Sequence, residues 1–293
     1  MSDITATGSV LSREQWSELI QEHEERARVW VEPHVSRRSR GETHPIWDFL
    51  FDYYAVRPSH VMRWHPGIGV TLADAADTPH AHWRDYRVDR DGNISVDVDA
   101  FLSHRQKDME NLLALLRATE NNRAQFDCFG LHEWAMVYRQ DTTRHPLPLR
   151  LGAGGTNEVV DAHDLKCTHY DAYRFFTPPA TPLNLKILDS SSRRAHEQCG
   201  CLHVGMDLFK WAAKMGPLVP GELFLDCFEL ACDIRLLDME ASPYDCRVLG
   251  YGVVPIETPE GKAEYVARQR GFTARAEPLR HRLVAILQGV LEG

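Results

Sequence analysis

Apolar positions recur at helical spacing along most of the chain. From Ser12, a residue type that caps helix N-termini, Trp16, Leu19, Ile20, Ala27 and Val31 return at near-helical intervals as far as residue 38. The basic run Arg37, Arg38 and Arg40 with Gly41 behind it has the form of a helix C-terminus and a glycine stop. The aromatic-dense stretch His44 to Tyr54 predicts a buried helix, closed by the Arg57-Pro58 step. Residues 64–96 are rich in Pro, Gly, Asp and His and read as loop, with a turn at Asp91-Gly92. A long amphipathic helix follows over 97–117, with Phe101, Met109, Leu112, Leu113 and Leu116 on its inner face.

Further on, 129–139 predicts a short helix and Pro146 to Leu151 a strand, after which Gly152, Gly154 and Gly155 mark a loop. Residues 177–194 form a Pro/Ser-rich connection. Helices are then expected at about 201–215, 221–239, 259–270 and 272–291. The sum is a mainly α chain with a few short strands, one domain over 1–293 with a soft subdivision near 150–195.

Composition narrows the function classes. Lys and Arg number 33 against 42 Asp and Glu, a formal charge of −9, which is a poor basis for binding nucleic acid through its phosphates. No stretch approaches the ~20 apolar residues of a membrane helix. The opening MSDITATGSVLSREQW lacks the basic and apolar regions of an export signal, and seven cysteines is an odd number for a disulfide framework. Reduced thiols in a cytoplasm are therefore expected. Histidine stands out at fifteen copies, and imidazole is the commonest metal ligand.

Three constellations could carry chemistry. In His163-Asp-Leu-Lys-Cys167-Thr-His169-Tyr-Asp171, followed by Arg174, four metal-ligand types fall within nine positions, and an extended chain would turn 167, 169 and 171 to one face. The simpler account is a polar loop in which Asp171 caps a short helix. The second is His196-Glu-Gln-Cys199-Gly-Cys201-Leu-His203, where a helix from about 201 sets His203 one turn from Asp207, so that the carboxylate would orient the second ring nitrogen. The third, Asp226, Glu229 and Asp233, puts three carboxylates within about 60° on a helix. Such stripes are usually solvated and ion-paired, with Glu229 the member best placed for proton transfer. His132 lies on an apolar helix face, as ordinary core histidines do, and is a fourth candidate. His44 and Asp48 have the spacing of an oriented imidazole, whereas positions 23, 34, 80, 82, 104 and 281 read as termini, loops and exposed faces.

The strings HPIWDFLFDYY (44–54), RWHPG (63–67), FGLHEWAMVYR (129–139), CTHYDAYRFF (167–176), CLHVGMDLFKWA (201–212) and SPYD (242–245) together resemble a family of bacterial proteins, also found in plants, labelled 3-methyladenine DNA glycosylase. The resemblance covers about 25–285. It implies a helix-hairpin-helix with a catalytic Asp downstream and a flipped base in an aromatic pocket. Pro66-Gly67-Ile68-Gly69 has the form of the hairpin turn and Thr71–Ala76 would be the second helix, with Asp85, Asp89 and Asp91 as candidate acids; no Lys or Arg follows the turn.

Read from the residues alone, the leading expectation is a cytosolic, metal-dependent enzyme for a small-molecule substrate. His163, His169 and His203 would hold non-haem iron or zinc, with Asp171 as a fourth ligand or a partner of one. Arg174 would bind an anionic substrate group, and Glu229 or His132 would move protons. A noncovalent haem with His196 or His203 as axial ligand is the alternative cofactor, and a base-excision glycosylase the alternative activity.

Overall fold

The computed structural model describes residues 8–292. The first seven residues, part of the segment read as lacking an export signal, lie outside them. The order is β1 (Ser9–Leu11), α1 (Arg13–Ser39), α2 (Phe49–Asp52), α3 (Pro58–Val61), β2 (Val70–Leu72), β3 (Tyr86–Val88), β4 (Ile94–Val96) and α4 (Val98–Asn121). Then come α5 (Leu131–Ala135), α6 (Gly152–Asp161), α7 (Tyr170–Tyr173), α8 (Arg193–His196), α9 (Leu202–Met215), α10 (Gly221–Glu240) and α11 (Pro259–Leu291). Helix accounts for 58% of the chain and strand for 6%, so the mainly α expectation is met. No described helix is long and apolar enough to cross a membrane.

The long helices follow their sequence signals. Ser12 and Gln15 form a capping box at the start of α1, each side chain bonding the other's backbone N–H. Asp97 caps α4 by accepting from the Ala100 N–H. The helices α9 and α10 form a hairpin packed against α11, and α11 also packs on α4. Gly205 permits the hairpin's close approach, since a Cβ there would meet Ile234 Cδ1 at 2.8 Å. The main apolar core includes Leu112 and Leu116 of α4, Met206 and Phe209 of α9, Leu230 and Ile234 of α10 and Leu283 and Leu287 of α11. It also takes in Val160, Leu165 and Leu188, so apolar packing continues across the soft subdivision.

Several expectations are corrected. The loop predicted at Gly152–Gly155 is the first turn of α6, because Thr156, Val159 and Val160 at helical spacing bury one face. Pro146–Leu151 is not a strand; only Leu149 bridges to Tyr244. The two C-terminal helices are one, α11, which runs through Gly271 and Pro278 while Tyr265, Ala276, Leu283 and Leu287 are buried along it. That packing outweighs the ~1 kcal/mol that a mid-helix glycine costs. The helix predicted over 44–54 shrinks to the single turn α2.

Residues 64–96 are not simply loop. They supply three of the four strands of a sheet ordered β1-β2-β4-β3, with β1 and β2 parallel and the other pairs antiparallel. Strands this short leave too few alternating positions to read from sequence. The segment after Gly69 is β2 and not a helix, so the helix-hairpin-helix implied by the resemblance is not formed here. A satellite cluster of Trp16, Trp64, Leu72, Ala75 and Ile94 joins sheet to α1, and the Trp16 indole N–H donates to the Ala73 carbonyl at 2.9 Å.

Candidate functional site

Three short-range facts bring the buried polar groups together. Because α9 and α10 are antiparallel, the first turn of α9, carrying His203, faces the last turns of α10, carrying Arg235 and Asp238. Gly130 at φ 71° turns the chain into α5, and the Trp134 indole N–H donates to the Ala241 carbonyl at 2.9 Å, fixing α5 against the end of α10. His132 of α5 then meets Asp238, Nε2 to Oδ1, at 2.9 Å. Donor atoms of His132, His203 and Asp238 all lie within 4.8 Å of one another, and all three residues are buried.

The imidazoles continue as a stack. His132 and His203 meet edge to face with ring centres 4.4 Å apart, and His169 lies over His203 at 5.2 Å. Each outer ring has its own carboxylate. His169 Nε2 is 3.2 Å from Asp207 Oδ2, with Glu197 at 3.8 Å. The central ring, His203, makes no hydrogen bond among the described residues. Its ring opens onto a cavity, while the fully enclosed atoms without a partner beside it are His169 Nδ1 and Asp207 Oδ1.

Charge on these groups is set by their neighbours. Burial works against charge on His132, but Asp238 beside it lifts the imidazole above its ordinary range. Asp238 is likewise buried, yet His132 and Arg235 hold it well below the usual carboxylate range. Burial, with His132 and His169 adding like charge, pushes His203 well down, so it is a neutral imidazole. Asp207, buried as well, is kept low by Lys210 and by its bond to His169. Glu133 moves the other way: burial and then Asp238 raise it.

Arg235 organises the second layer. Its guanidinium, with no exposed surface, donates to Asp238 Oδ2 at 2.8 Å, to Glu133 Oε1 at 3.2 Å and to the Pro45 carbonyl at 3.4 Å, and stacks on Phe49 at 4.1 Å. His203, Glu133 and Arg235 all line a cavity of about 430 Å³ whose other walls include Tyr53, Arg144 and Phe175. That volume is in the range of small-molecule sites.

The residues predicted from sequence disperse. His203 and His132 are in the cluster and His169 is stacked on it. His163 lies just past the end of α6, with Nδ1 2.6 Å from the Val159 carbonyl, and is not one of the converging donors. Asp171 does not share a face with His169 as an extended chain would allow, because the turn α7 begins at Tyr170; its carboxylate accepts from Lys210 at 2.9 Å. Nor does it cap the short helix through its side chain. Asp207 orients His169, not His203. Arg174 lies near Asp171 at 3.4 Å and over Phe175. His196 ends α8 with Nδ1 on the Ser192 carbonyl.

Glu229 pairs with Arg26 at 2.6 Å, about a third exposed, while Asp233 pairs with Arg275. Nine residues separate Glu229 from Asp238 on α10, which sets them on opposite faces. His44 does not engage its ring with Asp48; the backbone N–H does, and the Asp48 carboxylate takes His34 and Arg37. His23, read as near a terminus, His34, read as on a helix face, and His80, read as in an exposed loop, are all buried.

Sequence reasoning missed Asp238, Glu133 and Arg235. The available signals were the charged residues set in apolar runs, LHEWA and DIRLLDME, where a stripe of solvated charge has no room. Compared with protein-family models, curated proteins and solved structures, the chain matches none.

Proposed function

We propose that the chain is a metal-dependent enzyme acting on a small molecule, with iron or zinc held by His132, His203 and Asp238. One observation carries this reading: a buried, neutral His203 imidazole without a hydrogen-bond partner sits beside His132 and Asp238 and lines the cavity. Two imidazoles and one carboxylate are a donor set suited to zinc and to non-haem iron. Ligands each about 2.1 Å from one ion stand about 3.0–3.4 Å apart, so an ion would displace the proton now shared between His132 Nε2 and Asp238 Oδ1 at 2.9 Å and part the two atoms slightly. The Arg235 bond to the other Asp238 oxygen fixes the carboxylate's orientation, as outer partners of metal ligands do.

In this reading the ion supplies Lewis acidity to water or substrate at the cavity wall. Glu133, whose raised carboxyl faces the same cavity, holds or accepts a proton. Arg144, over the Phe175 ring at 4.2 Å, offers a cationic and aromatic surface to the rest of the substrate.

Elemental analysis of protein purified without an affinity tag tests the proposal. About one equivalent of iron or zinc is expected, falling at least tenfold in His203→Gln and unchanged in His163→Gln. Less than a tenth of an equivalent of any transition metal, with none rebinding after incubation with either ion, overturns it.

A further inference from the structure

A second cavity, of about 510 Å³, lies between α3, the segment 82–84 and the α9–α10 connection. Its lining holds Arg63, Arg84, Lys210 and Lys214 together with three histidines, and no Asp or Glu among the described residues. In a chain of net charge −9 this is an unusual concentration of one sign. Lys210 is balanced, since it donates to Asp171 at 2.9 Å and approaches Asp207 at 3.5 Å. Arg84 is loosely paired to Asp85 at 3.7 Å. Arg63 and Lys214 form no salt bridge among the described residues. Asp108 is the acidic group nearest in effect to Lys214, but Asp108 pairs with Arg105 at 3.6 Å.

The cavity also has flat apolar surface. Arg63 stacks on the Trp83 ring at 5.2 Å, and Phe224 forms part of the wall. Trp83 is itself held by His80 at 4.3 Å and His65 at 5.3 Å, both buried or nearly so, which makes it a fixed platform. We propose that this cavity is a binding site for a phosphate monoester carrying a flat ring, with Arg63 and Lys214 on the phosphate and Trp83 and Phe224 beside the ring. Arg63 over Trp83 and Lys214 over Trp211 at 5.2 Å are two cations with no carboxylate partner among the described residues, and together they match the charge of a phosphate near neutral pH, which approaches −2. A carboxylate would leave one of them unmatched. The crowding is felt already: Lys214 is lowered by burial and by Lys210 and Arg105, and His60 by burial and by Arg63 and Arg57. An anion would relieve both.

The site is separate from the proposed metal centre, and the test keeps the two apart. Isothermal titration at low ionic strength would compare adenosine 5′-monophosphate, adenosine and inorganic phosphate on the whole chain, on R63Q/K214Q and on H203Q. The nucleotide is expected to bind at least tenfold more tightly than adenosine or phosphate, and more weakly as salt rises. R63Q/K214Q, both at exposed positions, should keep the wild-type melting temperature and lose at least tenfold in affinity, while H203Q binds as wild type. The proposal is overturned if 5 mM nucleotide gives no heat, if adenosine binds equally well, or if R63Q/K214Q retains the affinity.

Discussion

At the junction of α5, α9 and α10, His132 lies 2.9 Å from Asp238 and His169 lies 3.2 Å from Asp207. Beside Trp83, by contrast, His65 bonds the Tyr86 hydroxyl at 2.7 Å and His80 meets the Trp64 carbonyl at 3.0 Å, and neither ring is paired to a carboxylate. Both places bury imidazole, and the partner decides what burial does. Asp238 lifts His132 above its ordinary range, whereas burial, with His80 and Arg63 adding to it, drives His65 down to about 3. Imidazoles with carboxylates form the cluster proposed above to hold a metal ion. Imidazoles with arginine and lysine are held neutral, next to a cavity fit for an anion.

The largest expected effect follows from removing the carboxylate that defines the first cluster. Asp238→Ala strips the partner from His132 and from Arg235, whose guanidinium has no exposed surface. Arg235 keeps Glu133 at 3.2 Å, but removing one partner from a buried ion pair costs about 3–5 kcal/mol. Urea unfolding should show that loss, against a change within about 0.5 kcal/mol for the exposed Arg63→Gln. Equal losses in the two variants would erase the distinction between the clusters.

A pH series sharpens the same contrast. Between its folded value of about 3 and the ordinary ~6.5, His65 takes up a proton only in the unfolded chain. The unfolded state then binds more protons, so the stability this residue contributes is present above about pH 6.5 and is lost as pH falls toward 3. For His132, raised by Asp238, the sign reverses: its contribution is present below about 6.5 and fades as pH rises through the raised value. In chelator-treated protein, His65→Gln should flatten the acid limb of a stability–pH curve measured by urea midpoints. An acid limb as steep as wild type's would remove His65 from the account.

How far the sequence foretold this depends on the length of the signal. Helices such as α1, α4, α9 and α10 were legible because their apolar stripes span several turns, and Ser12 and Asp97 cap the first two. The sheet was not, because three-residue strands cannot display alternation, and α6 was hidden by glycines that its buried Val159 and Val160 override. At the site, His132, His169 and His203 were legible as residues and illegible as a group. His132 and Asp238 are 106 positions apart, and only the α5–α10 junction makes them neighbours. Local spacing instead promoted Asp171 and His163, whose side chains a helical turn and a helix end carry to other partners.

The smallest effect concerns the acidic stripe of α10, a third way of placing charge. Asp226 and Glu229 share Arg26, at 2.7 and 2.6 Å, in a setting about a third open to solvent. Arg26 is stabilised in its charged form there, chiefly by its bond to Glu229. Exposed pairs of this kind contribute about 0–1 kcal/mol, because water screens the attraction and both side chains give up rotamer freedom. Glu229→Gln should therefore shift the urea midpoint by less than about 1 kcal/mol and weaken further in its effect as salt rises. Metal content should be unchanged, since Glu229 and Asp238 occupy opposite faces of one helix. A loss of bound metal in Glu229→Gln at unchanged stability would couple the two faces and undo the division drawn here between a buried carboxylate that organises imidazoles and an exposed one that only pairs with arginine.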